Sequence, residues 1–317
     1  MKPATTLKRN DVFHKYGIFI AFCMLVIVLA IISPAFLSTS NLINILRQIA
    51  VNGIIAVGMT FVIIAGGIDL SIGSILAFAA VIATSLAHPS EHSLFIPVAA
   101  GILAGLGLGL VNGIIIAKKR LAPFIVTLGM MTAARGLSLV YTSGRPIINL
   151  SDSYNEIGGG YFAGIPLPVI TFLLIILVGA FVLHFTRFGR YVYATGGNEL
   201  AAKVSGINTN LVIIRVYAIS GMLAGLAGIV LSSRVMSGSP STGQGYELDA
   251  IAAVVIGGTS LSGGTGSIAG TIAGVLIIGV MNNGLDLLNV SSYWQLIVKG
   301  LIIVLAVLLD RSKQQAL

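Results

Sequence analysis

The sequence predicts an all-α, polytopic integral membrane protein, with about ten transmembrane helices in a single domain that covers residues 1–317. Composition is the first observation behind this prediction. Of the 317 residues, 56% are hydrophobic and 9% are charged, whereas soluble domains carry about 25% charged residues. The second observation is that the apolar residues gather in long runs, and an α-helix needs roughly 20 of them to cross a bilayer. A soluble core could not bury this much apolar surface.

Nine apolar runs are long enough to be spans, and a shorter tenth run fits a short or broken helix. In chain order they cover residues 16–33, 48–66, 71–87, 94–117, 123–142, 166–185, 211–231, 248–258 (the short run), 268–284 and 293–309. The first run follows a basic segment, as the apolar part of a signal peptide does. It is longer than a typical signal sequence, and no convincing cleavage site follows it, so we interpret it as an uncleaved span.

The distribution of basic residues predicts that both termini lie in the cytoplasm. With ten spans, 13 of the 18 Lys and Arg residues fall in the cytoplasmic tails and connections, two in the connections on the opposite side, and three within or beside spans. Cytoplasmic connections of membrane proteins carry such an excess of basic residues. This topology also explains the net charge of +8, so we expect membrane lipid and no nucleic acid among the partners.

One cytoplasmic connection, residues 186–210, contains the well-formed polar helix of "YATGGNELAAKVSGIN". Asn198 can cap its free N–H groups, and Glu199 in the first turn suits the helix dipole. Gly206 can end the helix in the left-handed conformation. Two alanines between these ends are small enough for another surface to approach closely. The helix is therefore suited to a groove on a partner protein, or alternatively to lying on anionic lipid.

Two glycine patterns predict close packing or internal duplication. "GGIDLSIG" (66–73) and "GGTSLSGG" (257–264) share the pattern G-G-x-x-L-S-x-G, which indicates either duplicated halves, common in transporters, or coincidence in a sequence with 39 glycines. Glycines also recur at four-residue spacing, which lets helices approach closely in lipid. These positions are Gly101, Gly105, Gly109 and Gly113, then Gly221 and Gly225, then Gly270 and Gly274.

Several long strings resemble the permeases of bacterial ABC importers, in the ribose and monosaccharide branch. They are "GGNELAAKVSGI", "NLINILRQIAVNGIIAVGMTFVIIAGGIDLSIGS", "GYELDAIAAVVIGGTSLSGGTGSIAGT" and "NNGLDLLNVSSYWQLIVKGLIIVLAVLLDR". The resemblance covers nearly the whole chain and is weakest at the N-terminal tail and in residues 143–165.

The resemblance implies a homodimeric, multi-pass permease of the bacterial cytoplasmic (inner) membrane that translocates a monosaccharide. D-ribose is the favoured substrate. The resemblance also implies two partners, a cytoplasmic ATP-binding subunit and a periplasmic or lipid-anchored sugar-binding protein. ATP and Mg²⁺ would then bind the ATPase subunit and no cofactor would bind this chain, which contains no G-x-x-x-x-G-K-[ST] motif. The chain would not be an enzyme by itself.

In the same reading, the polar helix couples ATP hydrolysis to transport by seating in a cleft of the ATPase subunit. A stiff helix with capped ends and two small residues on one turn suits this role. The candidate coupling residues are Gly196, Gly197, Asn198, Glu199, Ala201, Ala202 and Gly206.

Polar residues within the spans are candidates for the sugar route, because amides and hydroxyls can replace the hydration of a sugar. They are Asn52, Asn112, Thr127, Asn282 and Asn283. The alternative is that they form hydrogen bonds between helices. Asp69, at the inner surface in this topology, can cap the next helix, line the exit route or couple protons. Glu247 and Asp249 can cap the short helix or act at an outer gate.

Three arginines are candidates for docking the sugar-binding protein: Arg47, Arg145 and Arg234. The alternative is that they are solvated loop charges. No metal site is predicted, because the four histidines lack ligand spacing and Cys23 is the single cysteine.

Three other functions compete with this reading. They are an ABC permease for another monosaccharide or sugar-like signalling molecule, an ion-coupled secondary transporter, and a channel. An ion-coupled carrier predicts uptake without a partner ATPase, and a channel predicts conductance without ATP.

Overall fold

A computed structural model describes residues 9–90 and 92–315 of the chain, and these fold into 13 α-helices and one short β-hairpin. The helices are α1 (Arg9–Ile32), α2 (Thr39–Ile64), α3 (Ile72–Ser85), α4 (Phe95–Lys119), α5 (Pro123–Thr142), α6 (Asp152–Gly159), α7 (Leu167–Phe185), α8 (Arg187–Gly197), α9 (Glu199–Val204), α10 (Thr209–Arg234), α11 (Tyr246–Ile256), α12 (Ile268–Leu287) and α13 (Ser292–Gln315). The hairpin pairs β1 (Tyr161–Phe162) with β2 (Ile165–Pro166) in antiparallel register. The all-α prediction is confirmed.

Six of the described helices are long and apolar enough to cross a membrane: α2, α4, α5, α7, α10 and α12. Shorter apolar stretches occupy Phe19–Ile32 of α1 and the whole of α3. The chain is therefore a multi-pass membrane protein in its helix lengths and composition. The count of ten spans and the cytoplasmic placement of both termini stay predictions.

Helix α2 forms the centre of the bundle and packs against α7, α10, α11 and α12. Its residues from Ile49 to Ile64 are buried without a break. A helix that is apolar on all sides belongs in the interior of a bundle, where each face meets another helix. α5 and α7, by contrast, have few buried residues, as expected of helices at the periphery.

The four-residue glycine spacing brings α4 and α10 into backbone contact. A Cβ atom added to Gly105 or Gly109 would overlap the backbone of Gly221, Gly225 or Tyr217, and Gly221 is equally close to α4. On the other side of the bundle, a Cβ at Gly274 would overlap the backbone of α11. The prediction of close helix packing at these glycines is confirmed.

The largest boundary difference is at the start of α2, which begins at Thr39, nine residues before the predicted span, with Ser38 as its N-cap. Polar residues interrupt the apolar run here and hide the helix from a hydropathy reading. One of them, Asn41, is nevertheless buried, because its side-chain amide donates to the Phe36 carbonyl oxygen at 2.9 Å.

Residues 143–165, predicted only as a connection, form α6 and the β-hairpin strand β1. Helix α6 is fastened to α10 by two serines. The hydroxyl of Tyr154 lies 2.8 Å from that of Ser232, and Ser233 donates to the Tyr154 carbonyl oxygen at 2.5 Å. The signal for this docking was weak, because a serine pair inside an apolar run fits several roles.

The two G-G-x-x-L-S-x-G strings lie at comparable places, just after α2 and after α11, but their structural register differs by one residue. Gly66 follows α2 with φ +85°, and its equivalent after α11 is Gly258, with φ +88°. The pattern match instead aligns Gly66 with Gly257. The two helices therefore end in the same way, but the sequence pattern and the structure pair Gly66 with glycines that are one residue apart.

Candidate functional site

The predicted polar helix is present, and a second helix precedes it. Asn198 caps α9 by accepting a hydrogen bond from the backbone N–H of Ala201 at 2.9 Å. Gly206 follows α9 with φ +83°, as predicted for the helix stop. Helix α8 was not predicted separately. Its N-cap, Thr186, accepts from the N–H of Gly189 at 3.1 Å, so the connection is a helix pair, called the α8–α9 segment below.

The α8–α9 segment presents an apolar edge outwards. Leu200 and Val204 are 73% and 84% exposed and lie four residues apart on α9. Ala202, predicted to meet another surface, is only 4% exposed and packs inside its own subunit. The face available to a partner is therefore that of Leu200, Ala201 and Val204, and a bulky residue at Ala202 would disturb the fold itself.

The end of α8 is wedged against the backbone of two other connections. A Cβ atom at Gly196 would overlap the carbonyl oxygen of Ile64, the last residue of α2. That same oxygen accepts a hydrogen bond from the N–H of Gly264 at 2.8 Å. The Tyr193 hydroxyl donates to the Gly266 carbonyl oxygen at 2.8 Å. A displacement of α8 is thus felt directly at the α2–α3 and α11–α12 connections.

Glu199 is held in place by charge and hydrogen bonds. Lys203 lies one turn away, with its Nζ 2.6 Å from Oε1 of Glu199, and the Thr209 hydroxyl donates to the same oxygen at 3.1 Å. The hydrogen bond from Lys203, that from Thr209 and the charge of Arg120 together lower the pKa of Glu199, although partial burial opposes them. The α9 start is therefore tied to the beginning of α10.

A cavity of about 380 Å³ lies beside the α8–α9 segment. Arg120, Glu199 and Lys203 contribute charged groups to its wall, and Tyr217 contributes an aromatic ring. Thr195 also lines it and is buried, and its hydroxyl has no hydrogen-bond partner among the described residues. The wall combines these polar groups with apolar side chains such as Ile116 and Ile213, and the space adjoins α9.

Three predicted residues of two different classes meet at the α2–α3 connection. Asp69, predicted to lie at the surface, is fully buried. Its carboxylate accepts from the backbone N–H and hydroxyl of Ser71, at 3.0 and 2.5 Å, and from the Ser220 hydroxyl at 2.8 Å. Burial is tolerated because these donors replace water around the carboxylate. Asn112 and Thr127 complete the cluster.

The amide of Asn112 donates to the Ser71 hydroxyl at 2.9 Å, and the Thr127 hydroxyl donates to the Ile68 carbonyl oxygen at 3.2 Å. Tyr217 donates to that carbonyl as well, at 3.3 Å. Asn112 keeps its Oδ1 without a partner among the described residues. The cluster therefore joins α4, α5 and α10 to the turn after α2.

The other candidates for the sugar route lie elsewhere. Asn283 exchanges two amide hydrogen bonds with Asn41, at 2.8 and 3.0 Å, which ties α12 to the start of α2. Asn282 donates to Asp249 at 3.1 Å. Asn52 is buried in α2, and its Oδ1 has no partner among the described residues. The five residues thus do not form one lining.

Of the two acidic residues in α11, only Glu247 contributes to the helix start. Its carboxylate accepts from the N–H of Gly245, the N-cap residue, at 3.2 Å. Asp249 was predicted as a cap or gate but is buried in an ion pair, with Nζ of Lys299 2.9 Å from its oxygens. Sequence reasoning gave no role to Lys299. A charge inside an apolar run was the available signal, since it requires a partner.

The docking arginines divide into one exposed and two half-buried residues. Arg145 is exposed. Arg47 donates to the Gly159 carbonyl oxygen at 2.9 Å and lies 4.9 Å from the centre of the Tyr161 ring. Arg234, the last residue of α10, packs with its backbone against Gly158. Two of the three therefore hold α6 and its hairpin in place.

Comparison with known proteins identifies the group to which this architecture is similar. The chain matches the family described as "Branched-chain amino acid transport system / permease component" over residues 41–307. It is 51% identical over 306 residues to the ribose import permease protein of Bacillus subtilis (strain 168), covering 96% of this chain and 95% of the relative. No solved structure matches.

Two further relatives show how identity varies with the named sugar. The ribose import permease protein of Escherichia coli (strain K12) is 49% identical over 299 residues, which cover 93% of each chain. The L-arabinose transport system permease protein of the same organism is 38% identical over 314 residues, covering 99% of this chain and 95% of the relative.

Proposed function

The chain belongs to the family of branched-chain amino acid transport system permease components. From this membership we propose that it is the transmembrane permease of an ABC importer for D-ribose. The single observation that supports ribose as the substrate is the sequence identity to ribose import permeases, which is about one half over nearly the whole length. The chain is a transport subunit, and the energy-yielding reaction belongs to a partner.

The import family implies two partners, an ATPase subunit and a substrate-binding protein. ATP and Mg²⁺ bind the ATPase subunit in this proposal. The permease itself forms a homodimer in the bacterial cytoplasmic membrane, surrounded by lipid. Its sugar-binding partner docks at the end of the molecule that carries Arg145, while Arg47 and Arg234 shape that end through α6.

The α8–α9 segment is the proposed coupling element. Its exposed Leu200 and Val204 offer the apolar contact that a groove on the ATPase subunit needs. Its buried side reaches the α2–α3 and α11–α12 connections through Gly196. Movement of the ATPase subunits would therefore pass to both connections through backbone contacts, with Asn198 and Gly206 keeping α9 short and stiff.

The sugar-route candidates divide in the same way. Asn112, Thr127 and Asp69 form the cluster at the α2–α3 connection, next to the coupling element, and we assign them to the cytoplasmic half of the route. Asn52 and Asn282 each keep an amide oxygen without a partner among the described residues and remain route candidates. Asn283 supports helix packing through its two hydrogen bonds with Asn41. Glu247 and Asp249 act as gate residues at the start of α11, where Glu247 lies beside Gly73 of α3.

Uptake of labelled ribose in cells that lack this chain tests the proposal. Restoring the chain is expected to restore uptake that requires ATP and the partner ATPase, and that only unlabelled ribose competes away. Uptake that survives deletion of the ATPase would instead indicate an ion-coupled carrier.

A second monosaccharide is the competing substrate, because the arabinose permease relative aligns over almost the full chain at lower identity. The same cells distinguish the two. Competition by arabinose, and none by ribose, would keep the importer and change its cargo.

A further inference from the structure

The connection between α10 and α11 runs into the helix bundle. Gly238 packs on Thr84 near the C-terminal end of α3, whereas Gly243 packs on Gly73 near its N-terminal end. Eleven helical positions separate these two contacts, which corresponds to about 16 Å along α3. Residues 238–245, called the descending loop, therefore travel most of the length of α3 before α11 begins.

Arg135 of α5 fixes this loop. Its Nη1 donates to the carbonyl oxygens of Pro240 and Thr242, the latter at 2.8 Å. Glu247, just beyond the loop, interacts electrostatically with the same guanidinium group. One arginine thus satisfies two carbonyl groups of irregular backbone and balances a carboxylate.

Contacts at the two ends of α5 place Arg135 near the middle of the bundle. The Thr127 hydroxyl bonds to the Ile68 carbonyl oxygen just before α3, and the Tyr141 hydroxyl bonds to Ser85 at the end of α3, 3.1 Å away. Arg135 lies about 12 Å from Thr127 and about 9 Å from Tyr141 along the helix axis. The middle of the descending loop, residues 240–242, is therefore held at mid-depth of the helices that cross the membrane.

The descending loop exposes polar side chains between this depth and the start of α3. Ser241 and Gln244 are exposed. The Ser241 hydroxyl lies 3.0 Å from that of Ser239, and the Gln244 amide has no hydrogen bond to any residue in the described part of the chain. Irregular backbone and polar groups at membrane depth occur where they are buried in protein or line a water-filled cavity, and not where they face lipid.

We propose that Ser241 and Gln244 line the sugar route and hydrogen-bond to the hydroxyl groups of the monosaccharide as it passes. This inference rests on the proposed function and adds the residues that contact its substrate. A serine hydroxyl donates and accepts, and a glutamine amide donates from nitrogen and accepts from oxygen, so the pair matches the dual character of sugar hydroxyls. Arg135 is the positioning residue that holds this part of the loop inside the bundle.

Cysteine labelling tests whether the loop faces the route. Cys23 is the single cysteine, so Cys23→Ala gives a background for Ser241→Cys and Gln244→Cys. The complex with its ATPase and sugar-binding partners is reconstituted in vesicles and treated with a charged, water-soluble methanethiosulfonate reagent. Both cysteines are expected to be labelled, and ribose turnover is expected to slow labelling. Leu177→Cys, an exposed apolar site within α7, is the control that stays unlabelled.

Uptake provides the second arm. Ser241→Ala and Gln244→Ala are each expected to lower maximal ribose uptake roughly 3- to 10-fold, the effect of one lost hydrogen bond, with unchanged assembly with the ATPase. Ser93→Ala, an exposed serine in the α3–α4 connection, is expected to leave uptake unchanged.

Unlabelled cysteines would overturn the inference, because the loop would then be covered, for example by a second copy of the chain. Labelling that ribose turnover does not slow would also overturn it. Absence of ribose uptake by the unmodified complex would instead count against the proposed function.

Discussion

Single charged residues inside the bundle depend on particular partners, and the Asp249–Lys299 pair is the sharpest case. Asp249 is buried and Lys299 nearly so, with Nζ 2.9 Å from the carboxylate. Lys299→Met leaves a buried carboxylate without its cation, and breaking such a pair costs about 3–5 kcal/mol. We expect a clear loss of thermal stability in detergent.

The double variant Lys299→Met with Asp249→Asn controls for this, because it removes both charges and keeps the shape. It is expected to recover most of the lost stability. A single variant as stable as the unmodified protein would show that the pair contributes little.

The lowered pKa of Glu199 predicts a pH dependence of α9. The hydrogen bond from Lys203 favours the ionised carboxylate, so its stabilising effect is complete above the ordinary value of 4.5 and is lost as pH falls through the lower, folded-state pKa. Glu199→Gln removes the effect at all pH values. Hydrogen exchange of the α9 amides should therefore be faster in this variant at pH 7, and equal to the unmodified protein in strong acid. Equal rates at pH 7 would contradict the prediction.

At the scale of elements, two neighbouring glycines at the junction between α8 and α9 have different surroundings. A Cβ at Gly196 overlaps the Ile64 carbonyl oxygen, whereas a Cβ at Gly197 finds its nearest neighbour, Gly264 Cα, at 3.9 Å. The overlap is expected to cost about 1–3 kcal/mol, because the closely packed backbone must shift. Gly196→Ala is therefore expected to lower ribose uptake by a factor of about ten or more. Gly197 was also predicted as a coupling residue, but a methyl group has room there, so Gly197→Ala is the matched control and should transport normally. Equal uptake by the two variants would contradict a role for the close packing of Gly196 against Ile64.

The exposed edge of α9 gives a separate prediction. Leu200→Arg places a charge on the apolar surface proposed for the ATPase groove, while Ala202→Arg forces a charge into the subunit interior. The first should fold normally, measured by thermal stability, but co-purify poorly with the ATPase and lose uptake. The second should lose stability. Normal co-purification of the Leu200→Arg protein would exclude this edge as the contact.

The sequence predicted regular elements well and contacts poorly, for physical reasons visible in particular residues. Helix periodicity, caps and glycine stops are local, so the cap at Asn198 and the stop at Gly206 were predictable. Partners distant in the chain are not local. The sequence around Asp69 does not identify Ser220 as its partner, and the sequence around Asp249 does not identify Lys299, 50 residues away. The side of α9 that Ala202 occupies was likewise fixed by tertiary packing.

On the scale of the whole molecule, the α8–α9 segment contacts α2, α7 and α10 and reaches the α2–α3 and α11–α12 connections at one end of the bundle. The family membership supplies the function of transport, and the α8–α9 segment is the element that we propose an external ATPase moves.

Ribose accumulation in sealed vesicles is the most direct test of ATP-driven transport by this chain. The permease is reconstituted with its ATPase subunit and ribose-loaded binding protein, and labelled ribose inside the vesicles is measured with and without ATP. We expect accumulation only with ATP and the ATPase subunit, and its loss on Gly196→Ala but not on Gly197→Ala. Accumulation without the ATPase, or equal transport by both variants, would contradict this expectation.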